Sequence, residues 1–284
     1  MRPTRLAQRQ ALINRGLEAA VAPANGTPRQ LREAIAYCLL SGGKRFRPLL
    51  TLGGCEAVGG TPQRALPVAC AVELIHAYSL VHDDLPAMDN ADERRGQPSC
   101  HRKYNEATAI LVGDALLTYA FERLATAKIP NALAVIREIG YASGTSGLIG
   151  GQWLDLDASA KASGALEDIA RRKTAALITA SVVAGALAGN ATPASITRLR
   201  RYGEALGLAF QLIDDLHDGD GLAAAHGSQR VHTQAIQLIN DATEIIKPFG
   251  ANAWLLRALA EWLARNGQFS ATPRTTLSRT HAPA

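Results

Sequence analysis

The sequence predicts an all-α helical bundle. Apolar residues recur at helical spacing through most long segments, strand-type alternation is nearly absent, and the strand–glycine–helix alternation of a doubly wound sheet does not occur. At 284 residues, with 47% hydrophobic and 19% charged content, the chain can bury a large core and is not globally disordered.

Helical periodicity places a first helix over 4–20, ending near Ala22-Pro23-Ala24-Asn25-Gly26. A second covers 28–40 and stops at Ser41-Gly42-Gly43. A third covers 48–58 and is closed by Gly59-Gly60-Thr61-Pro62. The next, over 63–84, is apolar nearly all round, which demands a central, buried position. Further helices are expected over 108–127, 131–150, 166–189, 193–218, 232–249 and 252–265, with Gly150-Gly151-Gln152 and Asp155 marking a helix break and close packing. With no internal boundary visible, residues 1–267 read as one helical domain. The tail 268–284 has no acidic residue and little apolar content, the composition of a flexible segment.

A net charge of +5 and a pI near 9.2 are only modestly basic. The cations are scattered without interleaved aromatics, which argues against nucleic acid and suits a small anionic ligand. Cys38, Cys55, Cys70 and Cys100 lack metal-type spacing and sit among apolar residues, as buried free thiols of a reducing compartment do. No apolar signal core follows the basic N-terminus, and no uninterrupted apolar run is long enough to span a bilayer, so the chain reads as cytoplasmic.

Two aspartate clusters carry the chemistry. The first runs His82-Asp83-Asp84-Leu85-Pro86-Ala87-Met88-Asp89, with Arg94-Arg95-Gly96 close behind; the second is Phe210-Gln211-Leu212-Ile213-Asp214-Asp215-Leu216-His217-Asp218. Adjacent carboxylates repel, so clustering them in apolar segments is costly unless a cation is expected. Oxygen ligands without nearby cysteine suit a hard ion such as Mg²⁺. Pro86 is expected to end the helix after Asp84 and let Asp89 return on a short turn. Asp214, Asp215 and Asp218 can share one helix face, where so many acids oppose the helix dipole.

Gly42-Gly43-Lys44-Arg45-Phe46-Arg47-Pro48 concentrates cations in a glycine-opened turn that an anion can approach closely. His76, inside the apolar helix, reads by itself as a hydrogen-bonded core histidine, and Lys173-Thr174 continues a basic run into an apolar helix.

With these motifs in this order, the chain resembles the trans-prenyl (polyprenyl) diphosphate synthases, most of all the bacterial farnesyl diphosphate synthases, over roughly residues 25–220. The resemblance implies the isoprenoid synthase fold, a bundle around a deep central cavity, a homodimer, and Mg²⁺ as cofactor, three ions with Mn²⁺ as an alternative. It implies that Asp83, Asp84 and Asp89 hold two ions on an allylic diphosphate. Asp214, supported by Asp215 and Asp218, would hold the third. Arg94, Lys173, Thr174 and Gln211 would contact the allylic diphosphate, and Lys44, Arg47, His76 and Arg95 that of isopentenyl diphosphate. The roles essential to turnover fall on Asp83, Asp84, Arg94, Lys173, Gln211 and Asp214. Tyr78 and Ser79, about 6–7 Å below the first aspartates along a helix, would form the cavity floor and favour a C15 product.

The resemblance breaks after Asp218. A loop that usually carries two lysines is replaced by the nearly uncharged Gly219-Asp220-Gly221-Leu222-Ala223-Ala224-Ala225-His226-Gly227-Ser228, with Arg230 and His226 as the nearby substitutes. Losing two charge-assisted contacts weakens the grip on a leaving diphosphate. Two rival functions follow: a class I terpene cyclase, which needs only one diphosphate site, and a low-activity or non-catalytic subunit of a prenyl synthase.

Overall fold

Glycines set where the central helices cross. Helix α3 (Phe46–Ala57) and helix α10 (Ala176–Ala188) pack so closely that a Cβ on Gly54 would stand 2.2 Å from the Val182 carbonyl oxygen, and one on Gly185 1.9 Å from that of Thr51. Only backbones without side chains fit such a crossing. The computed structural model describes residues 4–21, 26–157 and 164–267; the tail 268–284 lies outside them.

Before α3 come α1 (Arg5–Ala20) and α2 (Arg29–Leu40). Then follows α4 (Pro62–Asp83), the apolar helix expected at the centre. By length and mean hydropathy α4 would pass as a membrane span, but it is mostly buried inside the bundle. Its one central acid, Glu73, is neutralised by Arg45. A two-stranded hairpin follows, β1 (Glu93–Arg94) against β2 (Gln97–Pro98), closed by Arg95 and Gly96, both at positive φ. That is a primed two-residue turn, whose twist matches the flanking strands.

The chain continues through α5 (Cys100–Lys103), α6 (Glu106–Thr126), α7 (Ala132–Ser143) and α8 (Leu148–Leu156). The single helix expected over 131–150 is therefore two. The break is at 144–147, where a Cβ on Gly147 would lie 2.1 Å from the Ala142 carbonyl oxygen, and Gly150-Gly151 sit inside α8. Helix α9 (Leu166–Ile169) runs through a π-helical stretch (Ala170–Ala175) into α10. Then come α11 (Pro193–Asp218), α12 (Gly221–His226), α13 (Ser228–Ile246), a 3₁₀ stretch (Lys247–Ala253) and α14 (Trp254–Asn266). Helices α3, α4, α10 and α11 form the middle, with α6 against α4 and α13 against α11. One contiguous hydrophobic core runs through them, and the C-terminal ends of α4 and α11 carry the two aspartate motifs.

Candidate active site

Helix α4 ends at Asp83, as the proline two residues beyond Asp84 requires, and the Asp89 N–H donates to the Asp83 carbonyl at 2.9 Å. That turn brings Asp89 back beside the helix end. Asp89 then lines a cleft of about 600 Å³ with Asp155, Lys173, Gln211, Asp215, Asp218 and Asp220. Among the described residues of this lining, five are acids and Lys173 is the one cation. Asp83 sits close enough to feel Lys173 and Asp89; burial above all pushes its carboxyl up to about 6, with Lys173 opposing. Asp214 is likewise pushed up to about 6, by burial and then by Asp218, while Arg47 and Lys44 pull it down. Both carboxyls thus carry the strain of lost solvation and like charge. Among the described residues, no three His, Cys, Asp or Glu side chains converge into a ready-made ion cage.

Two members of the motifs are already occupied. Asp84 is buried and accepts from Arg94 Nε (3.0 Å) and Nη2 (2.5 Å), and both line a different, smaller cavity. Asp215 accepts from Gln211 Nε2 at 2.7 Å and from the Leu222 N–H at 2.8 Å. Thr174 Oγ1 donates to Gln211 Oε1 at 2.5 Å, so the amide bridges the π-helical stretch to α11, and Asp215 seats α12. A Cβ on Gly221 would meet Asp215 Oδ2 at 2.5 Å, which keeps this joint closed to other residues. Lys173 Nζ pairs with Asp155 Oδ2 at 2.6 Å. Its backbone N–H lies so near α8 that a Cβ on Gly151 would stand 2.2 Å away, the close packing expected of the glycine pair.

A second cavity, of about 440 Å³, is lined by Lys44, Arg47, His76, Arg95, Arg45, Glu73 and Phe210, and its Arg47 and Lys44 act on Asp214 as Asp218 of the cleft does. All four cationic candidates for a second diphosphate meet here. Arg47 Nε is buried without a protein partner, and burial lowers the guanidinium's pKa. His76 is held far below its ordinary pKa by burial, then by Arg47, Arg95, Arg94 and Arg45, so it is neutral here. Arg95 donates to the Gly42 carbonyl oxygen at 2.5 Å, and Lys44 Nζ stands 4.8 Å from the Trp262 ring centroid. Arg45 points inward instead: in a left-handed conformation (φ 52°) it pairs with Glu73 at 2.7 Å and donates to the Leu39 carbonyl at 3.1 Å.

Tyr78 is buried on α4 with its hydroxyl unpartnered, edge-on to His82 at 5.9 Å, and Ser79 Oγ donates to the His76 carbonyl. Sequence reading left Arg45, the Asp155 partnership and Gln152 without roles. Both amide atoms of Gln152 are buried without a protein partner. A polar side chain beside two helical glycines was the available signal. His226 and Arg230 are exposed and absent from the described lining of the acidic cleft.

Comparison with known proteins matches residues 28–231 to the polyprenyl synthetase family. The chain belongs to that family. It is 46% identical over 222 residues to a geranylgeranyl diphosphate synthase of Cyanophora paradoxa, covering 76% of this chain and 73% of that one. It is 45% identical over 218 residues to the heterodimeric geranylgeranyl pyrophosphate synthase large subunit 1 of Arabidopsis thaliana. That match covers 73% of this chain and spans only 58% of the relative's length. A geranyltransferase of Legionella pneumophila superposes with a TM-score of 0.86 at 35% identity, covering 92% of this chain and 95% of that one. The all-α isoprenoid synthase fold expected from the sequence is thereby established.

Proposed function

We propose that the protein condenses isopentenyl diphosphate with a short allylic diphosphate, dimethylallyl or geranyl, to a trans-prenyl diphosphate of C15 length, releasing diphosphate. One observation supports this above the rest: an acidic cleft and a cation-lined cavity of opposite sign lie side by side, with Asp214 influenced by both. A cyclase needs only the first. The residues sit within one domain, 1–267, and a second copy of the chain is the proposed partner, seated on exposed apolar residues of α6–α8 such as Leu111, Tyr141 and Trp153.

Mg²⁺ fits the donor set. Asp83, Asp89, Asp214 and Asp218 offer only oxygen, and the raised carboxyls are relieved by a divalent cation. The open arrangement suits an ion that completes its shell with substrate phosphate oxygens. When bound, the ion supplies charge neutralisation to the departing diphosphate. Lys44, Arg47 and Arg95 hold the isopentenyl diphosphate, with neutral His76 as a hydrogen-bond donor. Arg94 and Lys173 begin paired with Asp84 and Asp155, and each exchanges a carboxylate for phosphate as the allylic substrate enters. Asp84 becomes available to an ion only when Arg94 leaves it. Gln211, fixed by Thr174 and Asp215, presents its amide to the same cleft.

Ionisation of the allylic C–O bond leaves a delocalised carbocation, and the isopentenyl double bond, held by its own anion site, attacks before water can. The departing diphosphate accepts the proton lost afterwards, so no protein nucleophile is required. Buried Tyr78 stops the growing tail at C15. A C20 product is the second reading, favoured by the names of the geranylgeranyl synthases that this chain resembles.

The deciding assay incubates the purified protein with Mg²⁺, radiolabelled isopentenyl diphosphate and C5, C10 or C15 allylic co-substrates, and separates products by length. Elongation ending at C15 is expected. Hydrocarbon from farnesyl diphosphate alone would identify a cyclase, and no consumption of label a non-catalytic subunit.

A further inference from the structure

Behind the cation-lined cavity stand two thiols that the proposed chemistry does not use. Cys38, half-buried, is on the last turn of α2, and Cys100, buried, opens α5. Tyr37, beside Cys38, stands edge-on to Tyr104 just past α5, with ring centroids 5.9 Å apart, and each thiol feels the other. Both line a small cavity shared with Asp84, Arg94, Arg95 and His76. Cys55 instead donates to the Thr61 carbonyl at 3.4 Å, and Cys70 lies against Gly16.

The position of the pair gives it leverage. Helix α2 leads straight into the Gly42-Gly43 turn that bears Lys44 and Arg47, and α5 follows directly on the hairpin that bears Arg94 and Arg95. Polar contacts already couple these two arms: Tyr37 Oη donates to the Pro98 carbonyl at 2.6 Å, and Lys103 Nζ stands 4.3 Å from the Tyr37 ring centroid. Two free thiol sulfurs must close to about 2.05 Å to form a bond. That movement falls on the end of α2 or the start of α5, each joined to residues around the anion cavity.

We propose that Cys38 and Cys100 are a reversible disulfide site that locks the two arms of the cation-lined cavity together and makes anion binding there redox-dependent. This rests on reading that cavity as a diphosphate site. The oxidant is a small disulfide such as oxidised glutathione. One thiol of the pair loses its proton and attacks one sulfur of the oxidant, forming a mixed disulfide and releasing one small thiol. The other thiol, in the same small cavity, then loses its proton and displaces the second small thiol from the first. One S–S bond forms in the protein and one breaks in the oxidant, which takes up the two electrons and two protons. Excess small thiol reverses the exchange.

The test treats the full-length protein with oxidised glutathione, alkylates and digests it, and maps the peptides by mass. A cross-linked pair containing Cys38 and Cys100 is expected, lighter by two hydrogens than its parts. It should vanish on reduction and in Cys38→Ser and Cys100→Ser, and persist in Cys55→Ser. Calorimetric titration with inorganic diphosphate, without metal, should give a Kd that shifts severalfold on oxidation of the wild type and Cys55→Ser, but not of Cys38→Ser or Cys100→Ser. A stable glutathione adduct on Cys38 without the cross-link overturns the proposal, as does a cross-link that leaves Kd unchanged. Absence of isopentenyl diphosphate turnover by the reduced protein would instead overturn the functional reading, while the cross-link and Kd still decide this one.

Discussion

The acidic cleft and the cation-lined cavity both act on Asp214, through Asp218 and through Arg47 and Lys44, yet are built on opposite principles. The cavity is ready for its ligand: Arg47 keeps a buried, unpartnered N–H, and His76 is already neutral with one ring N–H to donate. The cleft is not ready. Its one cation among the described residues, Lys173, is tied to Asp155, Arg94 nearby is tied to Asp84, and Asp83 and Asp214 hold their protons too strongly for ordinary carboxylates. On the proposed reading an anion enters the first site as it stands, whereas metal and substrate together complete the second. Such an order protects a reactive carbocation, because the second substrate can be in place before ionisation begins.

The comparison breaks first, and hardest, at the acidic wall. Asp83→Ala and Asp214→Ala are each expected to lower turnover by about a thousandfold or more while circular dichroism stays unchanged. Retention of most activity in a radiolabel assay would remove the metal role from these two residues. Arg47→Met should act on the other site alone, raising the KM for isopentenyl diphosphate by about ten- to a hundredfold, the worth of a charged hydrogen bond, with kcat little changed. An equal loss in kcat would move Arg47 into the ionisation step. Tyr78→Ala should lengthen the product by about one isoprene unit, read by chromatography; a product of unaltered length would take the floor away from Tyr78.

The smallest effect sharpens the contrast without any substrate. Asp83 and Asp214 titrate near 6 in the folded protein, above their ordinary range, so the native state binds more protons than the unfolded chain. Metal-free stability should therefore fall as the pH rises from about 4 through about 6, and level off above. Asp214→Asn should raise metal-free stability above pH 7 by about 1–2 kcal/mol, roughly 2–4 °C in Tm, and reduce the stabilisation expected from Mg²⁺. A lower melting temperature for the asparagine variant would show that this carboxylate is not strained.

Most helices were legible because their signals are local. Periodicity, Pro193 at a helix start, and the glycine-rich stops fixed most boundaries to within about two residues, the usual uncertainty of such ends. The split of the helix expected over 131–150 was not legible, since Gly144 and Gly147 mark a break only once the packing of the neighbouring turn is known. The π-helical stretch around Lys173 and the hairpin at Arg94 also escaped, the second despite an Arg-Gly pair suited to a primed turn. At the site, the sequence grouped Asp83, Asp84 and Asp89 as equals, and the fold separates them. Asp84 is buried on Arg94, Asp89 is exposed in the cleft, and Asp83 lies between.

By itself the sequence determined the helical architecture, the family, and the residue types gathered at the ends of α4 and α11, because spacing along a helix dictates which side chains share a face. Only the tertiary structure decided which charge neutralises which. Arg45 settles on Glu73 and leaves Arg47 open, Lys173 settles on Asp155, and Asp215 settles on Gln211 and Leu222. Those choices depend on distance and burial between segments far apart in the chain, and ion-pair energies follow the local dielectric and geometry, which no spacing rule contains.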